Sequence, residues 1–126
     1  MSLEIRMLGT VGAAEAGPVT IHLAGSLNTT TAPELEDQLT PVLAGPVKSV
    51  VFDLARLKFI TSAGLRVFAA TRKTLKERGG QASFVNLQPQ IETVFEVIKS
   101  LPGVAIYKSP ADLDRYLARL QSGHTG

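Results

Sequence analysis

Leu3, Ile5 and Met7 alternate with Glu4 and Arg6, and after a Gly- and Ala-rich stretch from Gly9 to Gly17 the alternation resumes at Val19, Ile21 and Leu23. A period of two marks strands with one face on a core, so two neighbouring strands joined by a loose turn are expected. From Thr31 the period changes: Leu35, Leu39, Val42 and Leu43 fall on one helical face, with Pro33 in the first turn and Gly45-Pro46 past the end. Ser49 to Leu54 is a continuous apolar, β-branched run that predicts a central strand covered on both faces. After Lys58-Phe59-Ile60, Ser62 is placed to cap a helix carrying Leu65, Phe68, Ala69 and Leu75 inward, with Gly79-Gly80 ending it.

Ala82 to Leu87 predicts a further short strand. Pro89 opens a third helix with Ile91, Val94, Phe95 and Ile98 on one face, closing near Pro102-Gly103, and Val104 to Tyr107 predicts a minimal strand. Ser109-Pro110-Ala111-Asp112 starts a last helix on a stripe of Leu113, Leu117 and Leu120, and Gln121 to Gly126 is read as a frayed polar tail. The order ββαβαβαβα predicts an α/β domain over residues 1–120, with a tail at 121–126 and a four- or five-stranded, mostly parallel sheet. The first strand is the antiparallel exception.

Composition narrows the class of function. The chain has 126 residues, 44% of them hydrophobic and 19% charged, which suits one folded domain with a core of its own. It has no cysteine, so disulfide, thiolate and sulfur-metal chemistry are all excluded, and a reducing compartment fits. No apolar run approaches the ~20 residues needed to span a bilayer and no signal pattern opens the chain, so a cytoplasmic location without membrane insertion is expected. A net charge of +2 gives no argument for direct nucleic-acid binding. Arg66, Arg72, Lys73, Lys76 and Arg78 gather along one segment, expected as a solvated helix face, with a docking face as the second reading.

Enzymatic chemistry finds little to stand on. There is no phosphate-binding glycine loop and no dinucleotide fingerprint, and Ile60 takes the place of the glycine that a Gly-x-Ser-x-Gly nucleophile turn requires before Ser62. His22 lies in a strand and His124 in the tail, neither positioned as a base for Ser62. Asp53 invites comparison with a phosphate-accepting aspartate, yet Leu23 to Asn28 supplies no acid to share a Mg²⁺ ion, so Asp53 is expected to be a structural turn residue. No catalytic residue, metal site or cofactor is expected, and the chain is read as a non-enzyme.

Asp53 to Leu65, DLARLKFITSAGL, resembles the signature of the STAS family of anti-sigma factor antagonists, in which Asp-Leu, a short link and an apolar pair precede Asp-Ser-Ser/Thr-Gly-Leu at a helix start. Leu23 to Asn28 is similar to that family's Gly-Glu-Leu-Asp segment, and Gly79-Gly80 falls where the family has its glycines. The resemblance implies a bacterial transcription regulator working by partner switching. The unmodified protein binds an anti-sigma factor that is also a serine kinase and frees the sigma factor; phosphorylation of the serine at position 62 ends that binding, and a phosphatase resets it. The implied partner surface comprises Asn28, Thr29, Thr61, Ser62, Ala63, Gly64 and Arg66.

The sequence departs from that pattern at three places: Thr61 and Asn28 stand where the family has aspartates, and Ala63 replaces a hydroxyl residue. A kinase would meet a less negative surface there. Two roles for Ser62 therefore stay open, phosphoacceptor and plain helix cap. Alongside partner switching stands a phosphorylation-independent docking subunit, for example of a lipid-transport ATPase complex.

Overall fold

The structure, a computed structural model, describes residues 2–9, 18–100 and 110–122. Its elements run β1 (Leu3–Leu8), β2 (Val19–Leu27), α1 (Ala32–Ala44), β3 (Ser49–Ile60), α2 (Ser62–Glu77), β4 (Gln81–Val85), α3 (Pro89–Ser100) and α4 (Pro110–Ser122). The strands form one sheet in the order β1-β2-β3-β4, with β1 antiparallel to β2 and the other pairs parallel. This is the mixed α/β sheet that the element order predicts, because a strand-helix-strand link returns the chain in the same direction. The strand expected at Val104 to Tyr107 and His124 lie outside the described residues, as does most of the stretch between β1 and β2.

The helices cover one face of the sheet. Val19, Ile21 and Leu23 of β2 and Val50, Phe52 and Leu54 of β3 are buried, while the alternate residues Thr20, His22, Val51 and Asp53 keep partial exposure. The apolar run of β3 therefore does not mean burial on both faces. Val51 is an apolar residue on the open side, where β-branched side chains remain favourable for the strand itself.

β3 is also twice as long as expected. Buried positions move from Val50, Phe52 and Leu54 to Leu57 and then Ile60, so strict alternation breaks twice. The register with β2 shifts between His22 and Ala24 and again between Gly25 and Ser26. Such irregularities change which side chains face inward and hide a strand from a period-two reading. Gly25 is needed at one shift: its φ is +106°, and a Cβ there would lie 2.3 Å from the Ser2 carbonyl oxygen, whose partner is the Ser26 N–H.

In α1, Leu35, Leu39 and Val42 are buried as their spacing predicts. In α2 the buried face is Val67, Phe68, Thr71 and Leu75, while Ala69 is exposed, contrary to its expected inward place; Thr71 instead fills the position and bonds the Val67 carbonyl at 2.9 Å. Arg78, expected on the solvated basic face, turns back onto α1. Its guanidinium donates to the carbonyls of Leu43 (2.7 Å), Gly45 (2.8 Å) and Val47 (3.1 Å). These are carbonyls at and just beyond the end of α1 that have no helical partner of their own, and a planar five-donor group suits them. β4 stops at Val85 rather than Leu87, since Asn86 takes a left-handed conformation with φ of +59°.

α4 closes the fold. Its Leu117 is fully buried, and the helix reaches Ser122, beyond the start of the expected tail. Gln121 is only 3% exposed: its amide oxygen accepts from Ile60 N–H at 2.7 Å, and its nitrogen donates to the carbonyls of Ile60 at 2.8 Å and Leu117 at 3.0 Å. A side-chain amide with both a donor and an acceptor can satisfy both backbone groups of one strand residue.

Candidate functional site

The ends of β2 and β3 set the site. Leu27 pairs with Ile60, and the Thr61 N–H continues the pairing onto the Leu27 carbonyl at 3.0 Å. This brings the Asn28 loop, which leads into α1, alongside the Thr61-Ser62 entry to α2. Residues far apart in sequence thus meet because two parallel strands end together, each followed by a helix start.

The Asn28 loop is held by its own side chains. Asn28 Oδ1 accepts from the backbone N–H groups of Thr30 (2.9 Å) and Thr31 (3.0 Å), and the Thr31 hydroxyl accepts from Asn28 N–H and donates to the Ser26 carbonyl, both at 2.8 Å. Asn28 is therefore an Asx-turn residue with its amide oxygen committed to the loop. Thr29 is exposed beside it.

At the other side of the site Thr61 is extended (φ −113°, ψ 177°) and Ser62 begins the helix, so Thr61 rather than Ser62 occupies the cap position. Neither hydroxyl caps anything: Thr61 Oγ1 and Ser62 Oγ are both buried without a hydrogen-bond partner. The cap comes from another element. Asp114 of α4 places Oδ1 2.7 Å from the Ser62 N–H, a charge-assisted contact at the positive end of a helix dipole. Ser62, expected both to cap the helix and to belong to the partner surface, is therefore not the cap and is only 6% exposed.

Asp114 is the site residue that sequence reasoning missed. Its only signal is that Asp114, Leu117 and Gln121 share one face of α4 at i, i+3 and i+7, which says that the three act together without saying on what. In space it returns to the Ser62 region a carboxylate that Thr61 and Asn28 leave out. Asp53, in contrast, is neither a turn residue nor a partner of Ser62. It sits inside β3 on the open face, accepting from Ala55 N–H (3.0 Å) and Asn86 Nδ2 (3.3 Å), with His22 Nδ1 3.3 Å away. Among the described residues no three His, Cys, Asp or Glu side chains gather as a metal site.

Of the remaining candidate residues, Thr29, Ala63 and Arg66 line an open groove of about 590 Å³ between α1 and α2, together with Ala32 and Glu36. Gly64 does not reach this surface. It is buried, and a Cβ there would lie 2.6 Å from Leu27 Cγ and 2.9 Å from Ile60 Cγ1. Its role is to let α2 approach the ends of β2 and β3. Among the described residues no helix is long and apolar enough to cross a membrane.

Comparison with known proteins agrees with this architecture. Residues 11–113 match the family model described as STAS domain. A Bordetella bronchiseptica protein bearing the name anti-sigma factor antagonist BtrV is 37% identical over 75 residues, 60% of this chain and 65% of that one, so the match spans slightly less than two thirds of the relative. The anti-sigma-B factor antagonist of Staphylococcus aureus is 27% identical over 77 residues, 61% of this chain and 71% of its own. Among solved structures, unphosphorylated SpoIIAA of Bacillus superposes with a TM-score of 0.61 at 19% identity, covering 74% of this chain and 82% of that one. An anti-sigma factor antagonist from Mycobacterium paratuberculosis gives 0.56 at 22% identity over 94% of both chains. At these identities the two structures speak for the fold alone. The family match covers most of the chain, including both strand ends and the helix start they position, and on that ground the chain belongs to the STAS domain family.

Proposed function

We propose that this chain is a cytoplasmic anti-sigma factor antagonist that acts by partner switching, binding a kinase-type anti-sigma factor while Ser62 is unmodified. The observation that carries the reading is the placement of Ser62: it opens α2 beside the Asn28 loop, and its hydroxyl is committed to no hydrogen bond. Thr29, Ala63 and Arg66 on the adjoining groove supply the docking surface, and Asn28 and Thr61 adjoin it in the chain. In the modification step Ser62 Oγ attacks the γ-phosphorus of a nucleoside triphosphate bound to the partner; the hydroxyl proton leaves and the nucleoside diphosphate departs. The product carries ~1.5 to 2 negative charges at the contact, which disrupts a matched surface by desolvation and repulsion. A phosphatase restores the serine. The proposed cycle asks no catalytic group, cofactor, metal ligand or nucleic-acid contact of this chain.

The test is binding and phosphate incorporation with the anti-sigma factor kinase of the same organism. Ser62→Asp is expected to weaken the complex by ~1–3 kcal/mol, Ser62→Ala to bind as wild type does, and mass spectrometry to place one phosphate on Ser62 after incubation with kinase and ATP.

One observation favours a second reading. With Ser62 only 6% exposed, the groove is able to serve a constitutive docking subunit, for example of a lipid-transport ATPase complex. Unchanged affinity in Ser62→Asp together with an unphosphorylated Ser62 would select this reading over the switch.

A further inference from the structure

An external phosphoryl donor must bring phosphorus to within about 3–3.5 Å of the attacking oxygen, in line with the leaving group. Ser62 Oγ is buried and the whole residue is 6% exposed, so the closed structure withholds it. The element that reaches Ser62 with a side chain is α4. One face of that helix carries the buried Leu117 and meets the β3–α2 junction at two points, Asp114 on the Ser62 N–H and Gln121 on both backbone groups of Ile60.

We infer that α4 is a latch over Ser62, in which Asp114 holds the hydroxyl out of reach until it releases the Ser62 N–H, and a phosphate on Ser62 then prevents the latch from closing. The inference rests on the reading of Ser62 as the acceptor. Three observations converge on it. The Ser62 N–H has a carboxylate partner at 2.7 Å, and the hydroxyl of the same residue has no partner at all. A buried hydroxyl left unsatisfied costs stability, a cost that opening the site to water relieves. Finally, the start of α2 has no acidic residue in its own first turn, so its dipole is served from α4.

The consequence is electrostatic. A phosphate on Ser62 and the Asp114 carboxylate compete for the same helix start, and two like charges at hydrogen-bonding distance in a partly buried site repel strongly. The contacts of Gln121 with Ile60 carry no charge, so the phosphate acts on the Asp114 end of the helix. Linkage makes the coupling reciprocal: whatever lifts α4 makes Ser62 a better acceptor, and modified Ser62 favours lifted α4. A partner that reads α4 therefore reads the state of Ser62.

The latch is testable without any kinase. The chain has no cysteine, so Ser62→Cys introduces a single thiol whose alkylation by iodoacetamide reports opening. Rates are compared on the high-pH plateau, where the thiol is fully ionised in every variant. Adding Asp114→Ala should accelerate alkylation by about ten-fold or more, the effect of losing a charge-assisted hydrogen bond. A thiol at Leu35→Cys, buried in α1, should show no such gain from Asp114→Ala. Equal acceleration at both positions, or none at position 62, would overturn the latch. In the second arm, hydrogen exchange across residues 110–122 should speed up in Ser62→Asp, stay slow in the neutral, equally large Ser62→Asn, and slow again in Ser62→Asp/Asp114→Asn. Equal exchange in the Asp and Asn variants at position 62 would mean steric crowding and would overturn the charge argument. Failure of a kinase to phosphorylate Ser62 would remove the proposed switch while leaving these opening measurements to stand or fall by themselves.

Discussion

Gly64 and Ser62 are two residues apart on α2, and both belong to a segment whose resemblance to a partner-binding motif is plain from the sequence. Their physical roles differ. Gly64 is buried against Leu27 and Ile60 with no room for a Cβ, so Gly64→Ala should cost ~1–3 kcal/mol through overpacking, seen as a lower urea midpoint, and should weaken partner binding only as far as it shifts α2. Wild-type stability in Gly64→Ala would show that α2 yields more easily than its packing indicates. Ser62 was legible as a helix-start residue, because a hydroxyl before an apolar helical stripe is a local signal. The partner of its N–H was not, because Asp114 lies 52 positions away. Asn28 behaves likewise: its place in a loop is readable, but its commitment to Thr30 and Thr31 N–H appears only with the backbone in hand.

At the scale of elements, helices α1, α2 and α3 were readable because each carries a long apolar stripe with proline or glycine at its ends. β3 was only half readable, since two register shifts break its alternation. The joints between elements depend on polar side chains that no periodicity reveals. Arg78 binds three carbonyls at the end of α1, so Arg78→Lys, which keeps the charge but loses the fork, should lose ~1–2 kcal/mol in chemical denaturation. Stability unchanged by Arg78→Lys would mean that water replaces those bonds at no cost. The Gln121 joint is buried more deeply, and its amide is the partner of Ile60 on both sides. The sequence placed Gln121 in a tail because a polar residue near a chain end carries no sign of a buried partner.

The whole molecule is organised around one core in which the sheet, α2 and α3 meet through aromatic rings. Phe68 of α2 stands 4.8 Å from Phe52 and 5.0 Å from Phe84 on the sheet, and 6.2 Å from Phe95 of α3. Phe68→Ala removes a ring shared by three elements and should cost ~3–5 kcal/mol, with the loss read by urea titration as one transition; separate transitions for α3 or α4 would show that the core is divided. The sequence by itself determined the class of the fold, the strand-helix alternation, most of the buried apolar positions and the family resemblance, because all of these follow from local periodicity and short motifs. Only the tertiary structure decided that the central strand has an open face, that Asp53 belongs there with His22, and that α4 reaches Ser62 through Asp114 and Ile60 through Gln121. The physical reason is that hydrophobic burial repeats along a chain with the period of its secondary structure, whereas a hydrogen bond or ion pair across the fold depends on where two distant backbones end.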